Sequence, residues 1–277
     1  MKTLYVSDLD GTLLNSQKKV TETSARLINA CIERGMFFTV ATARMPYGCD
    51  LRVASLNLDA PGILTNGVFL YDFSKKTYLH VEPIDAKAVA PALDAFKKHG
   101  RSCFLYAFGD GGISIFYEDA ALANQTQYYS ERALASCREV SLVEDSLKSA
   151  SNSQVVYLAL TGSEAELTPI KESLAGIEGI ASAYYLNIYN GLYCLEVFSA
   201  RASKKNALAK LRELVSFDEL VVFGDNLNDL SMIEVADRSY APANALPEVK
   251  ARVTSVLEDN DHDGVAKFLA REWNIGE

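Results

Sequence analysis

Two carboxylates stand one residue apart near the N-terminus, in Ser7-Asp8-Leu9-Asp10-Gly11-Thr12, at the end of an apolar run. Like charges so close repel, so the segment needs a cation or a reaction to retain them. If the segment is extended and Leu9 points into a core, both aspartates face the same way. Three more polar groups have a similar setting. Thr42 follows an apolar run in Val40-Ala41-Thr42-Ala43-Arg44, and Lys204 opens a helical stretch in Ser203-Lys204-Lys205-Asn206. Asp225 follows Val221-Val222-Phe223, with Asn228 and Asp229 just behind it. In an open parallel sheet, ligands bind beyond the carboxyl ends of the strands. The four clusters therefore meet at one edge if their strands are neighbours. Asp8, Asp10 and Asp225, with Asp229 nearby, would make an oxygen-rich group that a hard divalent cation renders tolerable. Carboxylate, carbonyl and water ligands suit Mg²⁺, an ion that shares its shell readily with a phosphate. Lys204 adds a compact positive charge, and the Thr42 hydroxyl and neighbouring amides can bind phosphate oxygens.

The elements that must position these residues are legible from apolar patterning. Leu4–Ser7, Met36–Ala41 and Gly62–Leu64 are too short and apolar for amphipathic helices and read as buried strands. Between the first two, Thr21–Arg34 reads as a helix with Ile28, Cys31 and Ile32 on one face and Gly35 as its stop. A hairpin is expected around Phe73–Lys76. Such alternation implies right-handed crossovers and a mostly parallel sheet. From about Pro83 to Tyr189 the pattern changes. A helix leads to Gly100, two strands join through Gly109, Gly111 and Gly112, and a polar stretch runs to about Asn152. The strand Val155–Leu160, a helix capped by Ser163 and Glu166, and a hairpin turning at Asn190-Gly191 follow. Alternation then resumes with helix Ser203–Leu214, strand Glu219–Phe223, helix Leu227–Val235 and a last helix, Val265–Arg271. The expected fold class is α/β: a Rossmann-like parallel-sheet core from residues 1–82 and 190–277, with an α+β cap domain inserted at 83–189.

Composition narrows the partners. The chain has 277 residues, 49% apolar and 23% charged, enough for two globular domains. No apolar run reaches the roughly 18 residues of a membrane span, and Asp8 and Asp10 arrive too soon for a secretory signal, so a cytoplasmic location is expected. The five scattered cysteines show no C-x-x-C pair, which argues against a zinc site or a disulfide framework. A net charge of −9 without a basic stripe excludes nucleic acid and anionic membranes as natural partners. An anionic substrate would then need local cations, which Mg²⁺ and Lys204 would supply. The expected partner is a small phosphorylated metabolite, and the expected assembly a monomer or small homo-oligomer.

Taken together, Asp8–Thr12, Val40–Arg44, Lys204 and Gly224–Asp229 resemble, in order, the four motifs of the haloacid dehalogenase superfamily. Thr65–Gly67, the long insertion, Gly224–Met232 and Asp263–Leu269 are similar to its Cof-like, type IIB sugar-phosphatase branch. The resemblance spans almost the whole chain. It implies that Asp8 is a nucleophile forming an aspartyl-phosphate, and that Asp10 is general acid and then general base. It implies Mg²⁺ held by the Asp8 carboxylate, the Asp10 backbone carbonyl and Asp225. Leu9, Thr42, Ala43, Lys204 and Asn228 would hold the phosphoryl oxygens, and Asp229 would stand behind them, orienting Lys204 or a metal-bound water. The cap would exclude water and choose the leaving group. Two residues depart from the branch: Ala43 and Lys205 both occupy positions that are usually glycine. Alanine still supplies its N–H, and its methyl is a small intrusion unless φ must be positive.

Other readings stay in view. Asp-Gly and Asn-Asp clusters are often only turns and caps, and for Asp225 alone that reading would win. Arg44 either touches substrate or forms a surface ion pair. Asp261-His262-Asp263 precedes a helix, where acidic residues favour the dipole, and is read as a cap. Tyr128, Tyr129, Tyr184, Tyr185 and Tyr189 either face a sugar or, more commonly, pack the inserted domain. Asp110 lies in the glycine-rich turn of that domain. The rival functions are a phosphomutase, which passes the phosphoryl group to a sugar hydroxyl, and a phosphate-binding regulatory module without turnover. A receiver domain needs no cap, and a dehalogenase needs no cluster at Asp225 and Asp229.

Overall fold

The computed structural model describes residues 2–128, 136–187 and 190–276, and divides into two units, Met1–His80 with Ser203–Glu277, and Val81–Ala202. In chain order the first unit begins with β1 (Thr3–Ser7), helix α1 (Glu22–Glu33), β2 (Phe37–Val40), β3 (Gly62–Leu64), β4 (Phe69–Asp72) and β5 (Thr77–Val81). Thr21 caps α1 by accepting from the Ser24 amide, and Leu27, Ile28 and Cys31 form its buried face, as the spacing predicts.

The inserted unit carries α2 (Ala86–Lys98), β6 (Phe104–Gly109), β7 (Gly112–Tyr117), β8 (Glu139–Leu142), β9 (Gln154–Gly162), α3 (Glu164–Leu174), β10 (Ile180–Asn187) and β11 (Leu192–Ser199). Its six strands form one sheet in the order β10-β11-β9-β6-β7-β8, with β7 and β8 the parallel pair. The two helices pack on this sheet through Ala92, Phe96, Leu167 and Ile170. Ser163 and Glu166 make the expected capping box. Strand β8 lies in the stretch read only as polar: Glu-Val-Ser-Leu at a sheet edge has too little buried alternation to announce itself. The boundary also moves. Strand β11 pairs with both β9 and β10, so the chain returns to the first unit at Ser203 rather than at residue 190. Tyr184 packs against Tyr193 and hydrogen-bonds Thr168, Tyr185 hydrogen-bonds Glu196, and the exposed Asp110 carboxylate pairs with Arg138. Tyr129 and Tyr189 lie outside the described residues.

After the insertion come α4 (Lys204–Leu214), β12 (Glu219–Phe223), β13 (Arg238–Pro242), β14 (Ser255–Leu257) and α5 (Gly264–Glu272). The principal sheet of the first unit is wholly parallel, in the order β14-β13-β12-β1-β2. Leu4, Val6 and Val222 meet Ala207, Leu208 and Leu211 of α4, while Phe223 and Tyr240 meet Phe268 of α5. Burial on both faces explains why these strands read as continuous apolar runs. No helix among the described residues is long and apolar enough to cross a membrane. Strand order reverses at β1: the chain crosses to β2 on one side and later fills β12 on the other. That reversal is where an open α/β sheet opens a crevice at its carboxyl edge.

One ion-pair network ties the far edge of this unit together. Arg238 reaches Glu219 at 2.8 Å and Glu272 at 2.8 Å, and Thr3 donates to Glu219 at 2.7 Å. The Arg238 hydrogen bond holds the Glu219 carboxyl below its usual range. A carboxyl depressed in the folded state adds stability above its unfolded pKa of about 4.3, and that stability is lost as pH falls through the folded value. Arg238→Met is expected to cost about 1–2 kcal/mol at pH 7. Urea titrations from pH 7 to 3 should show the gap between wild type and variant narrowing as Glu219 protonates.

Candidate active site

The β1 strand ends by presenting Asp8. Its amide donates to the Phe223 carbonyl at 2.9 Å, continuing the β1–β12 ladder one residue past the strand. Leu9 is fully buried, and its carbonyl accepts from the Leu13 and Leu14 amides, so the chain turns immediately after it. Gly11 makes that turn at φ +86°, with its α-carbon against the Asp225 carboxylate, where a β-carbon would collide. Thr12 donates to Asp225 Oδ1 at 2.8 Å. On the β2 side, Ala41 donates to the Ser7 carbonyl, which brings Thr42 level with the residues after β1.

Lys204 enters from α4. Ser203 caps that helix through the Asn206 amide, which fixes the first helical residue as Lys204. Its side chain is wholly buried, and Nζ donates to Asp8 Oδ1 at 2.6 Å and to Asp229 Oδ1 at 2.5 Å. Asp229 Oδ2 accepts from the Asp225 and Asn226 amides at 2.9 and 3.0 Å. That back-bonding starts the segment as a 3₁₀ turn, Leu227–Asp229, before the short helix Leu230–Ile233; the expected continuous helix to Val235 is broken there. Two anions around one ammonium push the Lys204 pKa up against the opposing effect of burial, so the lysine stays charged. Burial also drives Asp8 upward, with Asp229 and Asp225 adding to it and Lys204 opposing. Asp225 is pushed up to about 6, chiefly by burial, against the Thr12 hydrogen bond.

A divalent cation would relieve that crowding, and the donor set suits one. Asp8, Asp225 and Asp229 each bring an oxygen within 4.8 Å of the others. Both Asp229 oxygens are committed, to Lys204 and to two amides, whereas Asp8 Oδ2 and Asp225 Oδ2 keep open lone pairs. The hard oxygens of Asp8 and Asp225 therefore fit Mg²⁺, and Asp229 fits the supporting place behind them.

Asp10 is a different kind of carboxylate. Arg44 grips it with a fork, Nε to Oδ2 at 2.6 Å and Nη2 to Oδ1 at 2.7 Å, and Lys18 Nζ stands 3.2 Å from Oδ1. Burial alone would raise its pKa, but these two cations outweigh burial and lower it. Arg44, open between substrate contact and ion pair in the sequence, makes an ion pair, and its partner is Asp10. Thr42 is buried, with its hydroxyl accepting from the Arg44 amide, while Ala43 is exposed and keeps a negative φ. Alanine therefore fits where the branch usually has glycine. Lys205 is exposed. Asn228 is exposed and donates to Asn66 Oδ1 at 3.0 Å. The acidic stretch before α5 does not cap that helix. Asp263 instead accepts from the Thr21 and Ser24 hydroxyls at the start of α1, and Asp261 binds Ser16. Thr12, Lys18 and Asn66 were not singled out by the sequence. Thr12, in its Asp-Gly-Thr setting, and Asn66, in Thr65-Asn66-Gly67, offered a signal, and Lys18 offered none.

Over residues 5–269 the chain matches the haloacid dehalogenase-like hydrolase family. The chain belongs to that family. It is 26% identical over 275 residues to the pyridoxal phosphate phosphatase YbhA of Escherichia coli (strain K12), covering 95% of each chain. It is 27% identical over 281 residues to the 5-amino-6-(5-phospho-D-ribitylamino)uracil phosphatase YwtE of Bacillus subtilis (strain 168), again covering 95% of each. The solved structure of the subclass IIB sugar phosphatase BT4131 shares the fold, with a TM-score of 0.72 at 20% identity over 100% of both chains. The α/β core with an inserted α+β domain is thus a fold this chain shares with that structure.

The buried Lys204 pair gives a sharp expectation. Asp229→Asn must turn its amide NH₂ toward either Lys204 or the two backbone N–H groups, leaving one contact repulsive. Breaking a buried charge pair costs about 3–5 kcal/mol, and urea unfolding of this variant should show a loss of that order. An unchanged midpoint would mean that the Lys204 pair does not hold the site together.

Proposed function

We propose that this hydrolase is a Mg²⁺-dependent phosphatase that cleaves small phosphomonoesters, sugar phosphates foremost, through a phosphoryl group carried on Asp8. The observation that carries the reading is the state of Asp8: one oxygen is held by Lys204, and the other is open beside Asp225 at the point where strand order reverses. A carboxylate so oriented is a nucleophile with a fixed direction of attack.

In the first step an Asp8 oxygen bonds to phosphorus as the bond from phosphorus to the ester oxygen breaks. The leaving oxygen keeps that electron pair and takes a proton from the Asp10 carboxyl. Asp10 is then the carboxylate that accepts a proton from water as the water oxygen attacks phosphorus. The bond to Asp8 breaks, its carboxylate is restored, and inorganic phosphate leaves. The pairing of Asp10 with Arg44 and Lys18 favours the carboxylate and so suits this second step directly. Asp8, the Asp10 carbonyl and Asp225 would hold Mg²⁺, and the bound ion supplies positive charge against which a dianionic phosphoryl group can sit. Lys204, the Thr42 hydroxyl, the Leu9 and Ala43 amides and Asn228 would steady the phosphoryl oxygens. Such support meets a high barrier, since enzymatic accelerations of monoester hydrolysis reach ~10²¹.

The inserted unit is assigned the choice of leaving group. The relatives' names support a small phosphorylated metabolite as substrate, and a cytoplasmic setting is part of the same proposal. The test is phosphate release from p-nitrophenyl phosphate and a panel of sugar and nucleotide monophosphates. We expect release that needs Mg²⁺, stops in EDTA and vanishes in Asp8→Asn, with a sugar phosphate ranked above the nucleotides. A folded, Mg²⁺-supplied protein that releases nothing from any monoester would overturn the reading, and isomerisation of a sugar monophosphate that needs an added bisphosphate and releases no phosphate would favour the phosphomutase.

A further inference from the structure

We infer that Asn66 is a positioning residue for the phosphoryl site: one hydrogen bond from its side chain aims the Asn228 amide, and its turn ties Asn228 to the segments bearing Thr42 and Lys204. This rests on the phosphatase reading and deepens it.

Three observations carry it. Thr65, Asn66 and Gly67 have φ of +53°, +52° and +101°, three left-handed residues in a row. Glycine takes that conformation freely and asparagine tolerates it, but a β-branched threonine there is strained. Such strain persists where the surroundings over-determine it, and it gathers at functional sites.

The second observation is what the turn is fastened to. The Thr65 amide donates to the Arg44 carbonyl and the Asn66 amide to the Thr42 carbonyl, each at 3.0 Å, while the Thr42 amide donates to the Ile63 carbonyl at 2.8 Å. These bonds lay the turn along Thr42–Arg44, the segment after β2. Gly67 lies against the Ser203 backbone, so closely that a β-carbon would collide with the Ser203 carbonyl. Ser203 caps α4 directly before Lys204, so one turn sets the spacing between Thr42 and Lys204.

The third is the reach of the Asn66 side chain. Its Oδ1 accepts from Asn228 Nδ2 at 3.0 Å, in the 3₁₀ turn after β12. Asn228 is exposed, and this is the one hydrogen bond of its side chain among the described residues. An exposed amide without a partner samples several rotamers. With one N–H held by Asn66, the direction of the other is fixed, and that N–H is the donor left for a phosphoryl oxygen.

The test is a double-mutant cycle, since a residue that acts through another loses its effect once that other is removed. Asn66→Gly suits the left-handed backbone and removes only the side-chain acceptor. Asn228 is exposed, so Asn228→Ala leaves the packing alone. On p-nitrophenyl phosphate with Mg²⁺ we expect Asn66→Gly to lower kcat/KM about three- to tenfold, the range open to one hydrogen bond. Competitive inhibition by inorganic phosphate should weaken by a similar factor. Asn228→Ala should lose at least as much in both. Added to Asn228→Ala, Asn66→Gly should change either quantity by less than about twofold. An equal fall in both backgrounds would mean that Asn66 acts through the fold of its turn, and wild-type values in Asn66→Gly would mean that it positions nothing; either result overturns the inference. A wild type that hydrolyses no monoester with Mg²⁺ would overturn the phosphatase reading itself, and this inference with it.

Discussion

A lysine ammonium buried between two aspartates is the constraint on which the remaining geometry depends. Burying an unpaired charge is prohibitively costly, so Lys204 needs both Asp8 and Asp229 at hydrogen-bonding distance. Those three residues come from the end of β1, the loop after β12 and the first turn of α4, which are remote in sequence. Asp229 in turn holds the Asp225 amide, and Thr12 holds the Asp225 carboxylate. Satisfying one buried charge thus places every carboxylate of the central cluster. The pair is weak evidence for stability in itself, because an apolar replacement of equal volume often serves a fold better. Its retention is explained by what it leaves: one Asp8 oxygen tied and one free.

The two aspartates of the first motif differ through their surroundings alone. Asp8 is buried, shares a lysine with Asp229, and feels the neighbouring carboxylates push it toward protonation. Asp10 is partly exposed and is held as a carboxylate by an arginine fork and a second lysine. Pairs of titratable groups whose environments push them apart are how one site carries two roles. Leu9 is the device that makes this possible. By turning wholly into the core it leaves the carboxylates of its flanking residues at the carboxyl edge of the sheet, while the turn at Gly11 brings Asp225 to meet them.

Much of this was legible in the sequence, for a physical reason. Strands buried on both faces must be apolar throughout, so β1, β2 and β12 announced themselves, and polar residues directly after them had one edge to occupy. What could not be read was everything decided by side-chain geometry between remote segments. Arg44 could be seen as a charge after β2, but not as a fork on Asp10. Lys18 sits beside Lys19 with nothing in the spacing to distinguish them, and only its left-handed backbone and its reach to Asp10 do so. Ala43 raised a question about φ that only the backbone answers. The acidic stretch before α5 read as a cap for its own helix, yet Asp263 holds the start of α1, some 240 residues away in the chain. Edge strand β8 and the boundary at Ser203 were missed because weak alternation and a long hairpin carry little local signal.

The central claim is that Asp8 carries the phosphoryl group, and mass spectrometry of acid-quenched protein tests it most directly. The wild type would be mixed with Mg²⁺ and a turned-over monoester, quenched in the steady state, and digested. The account predicts one added phosphoryl group on the peptide containing Asp8, absent in Asp8→Asn and absent without substrate. Steady turnover with no phosphorylated peptide in repeated rapid quenches, or with the group on another residue, would contradict it.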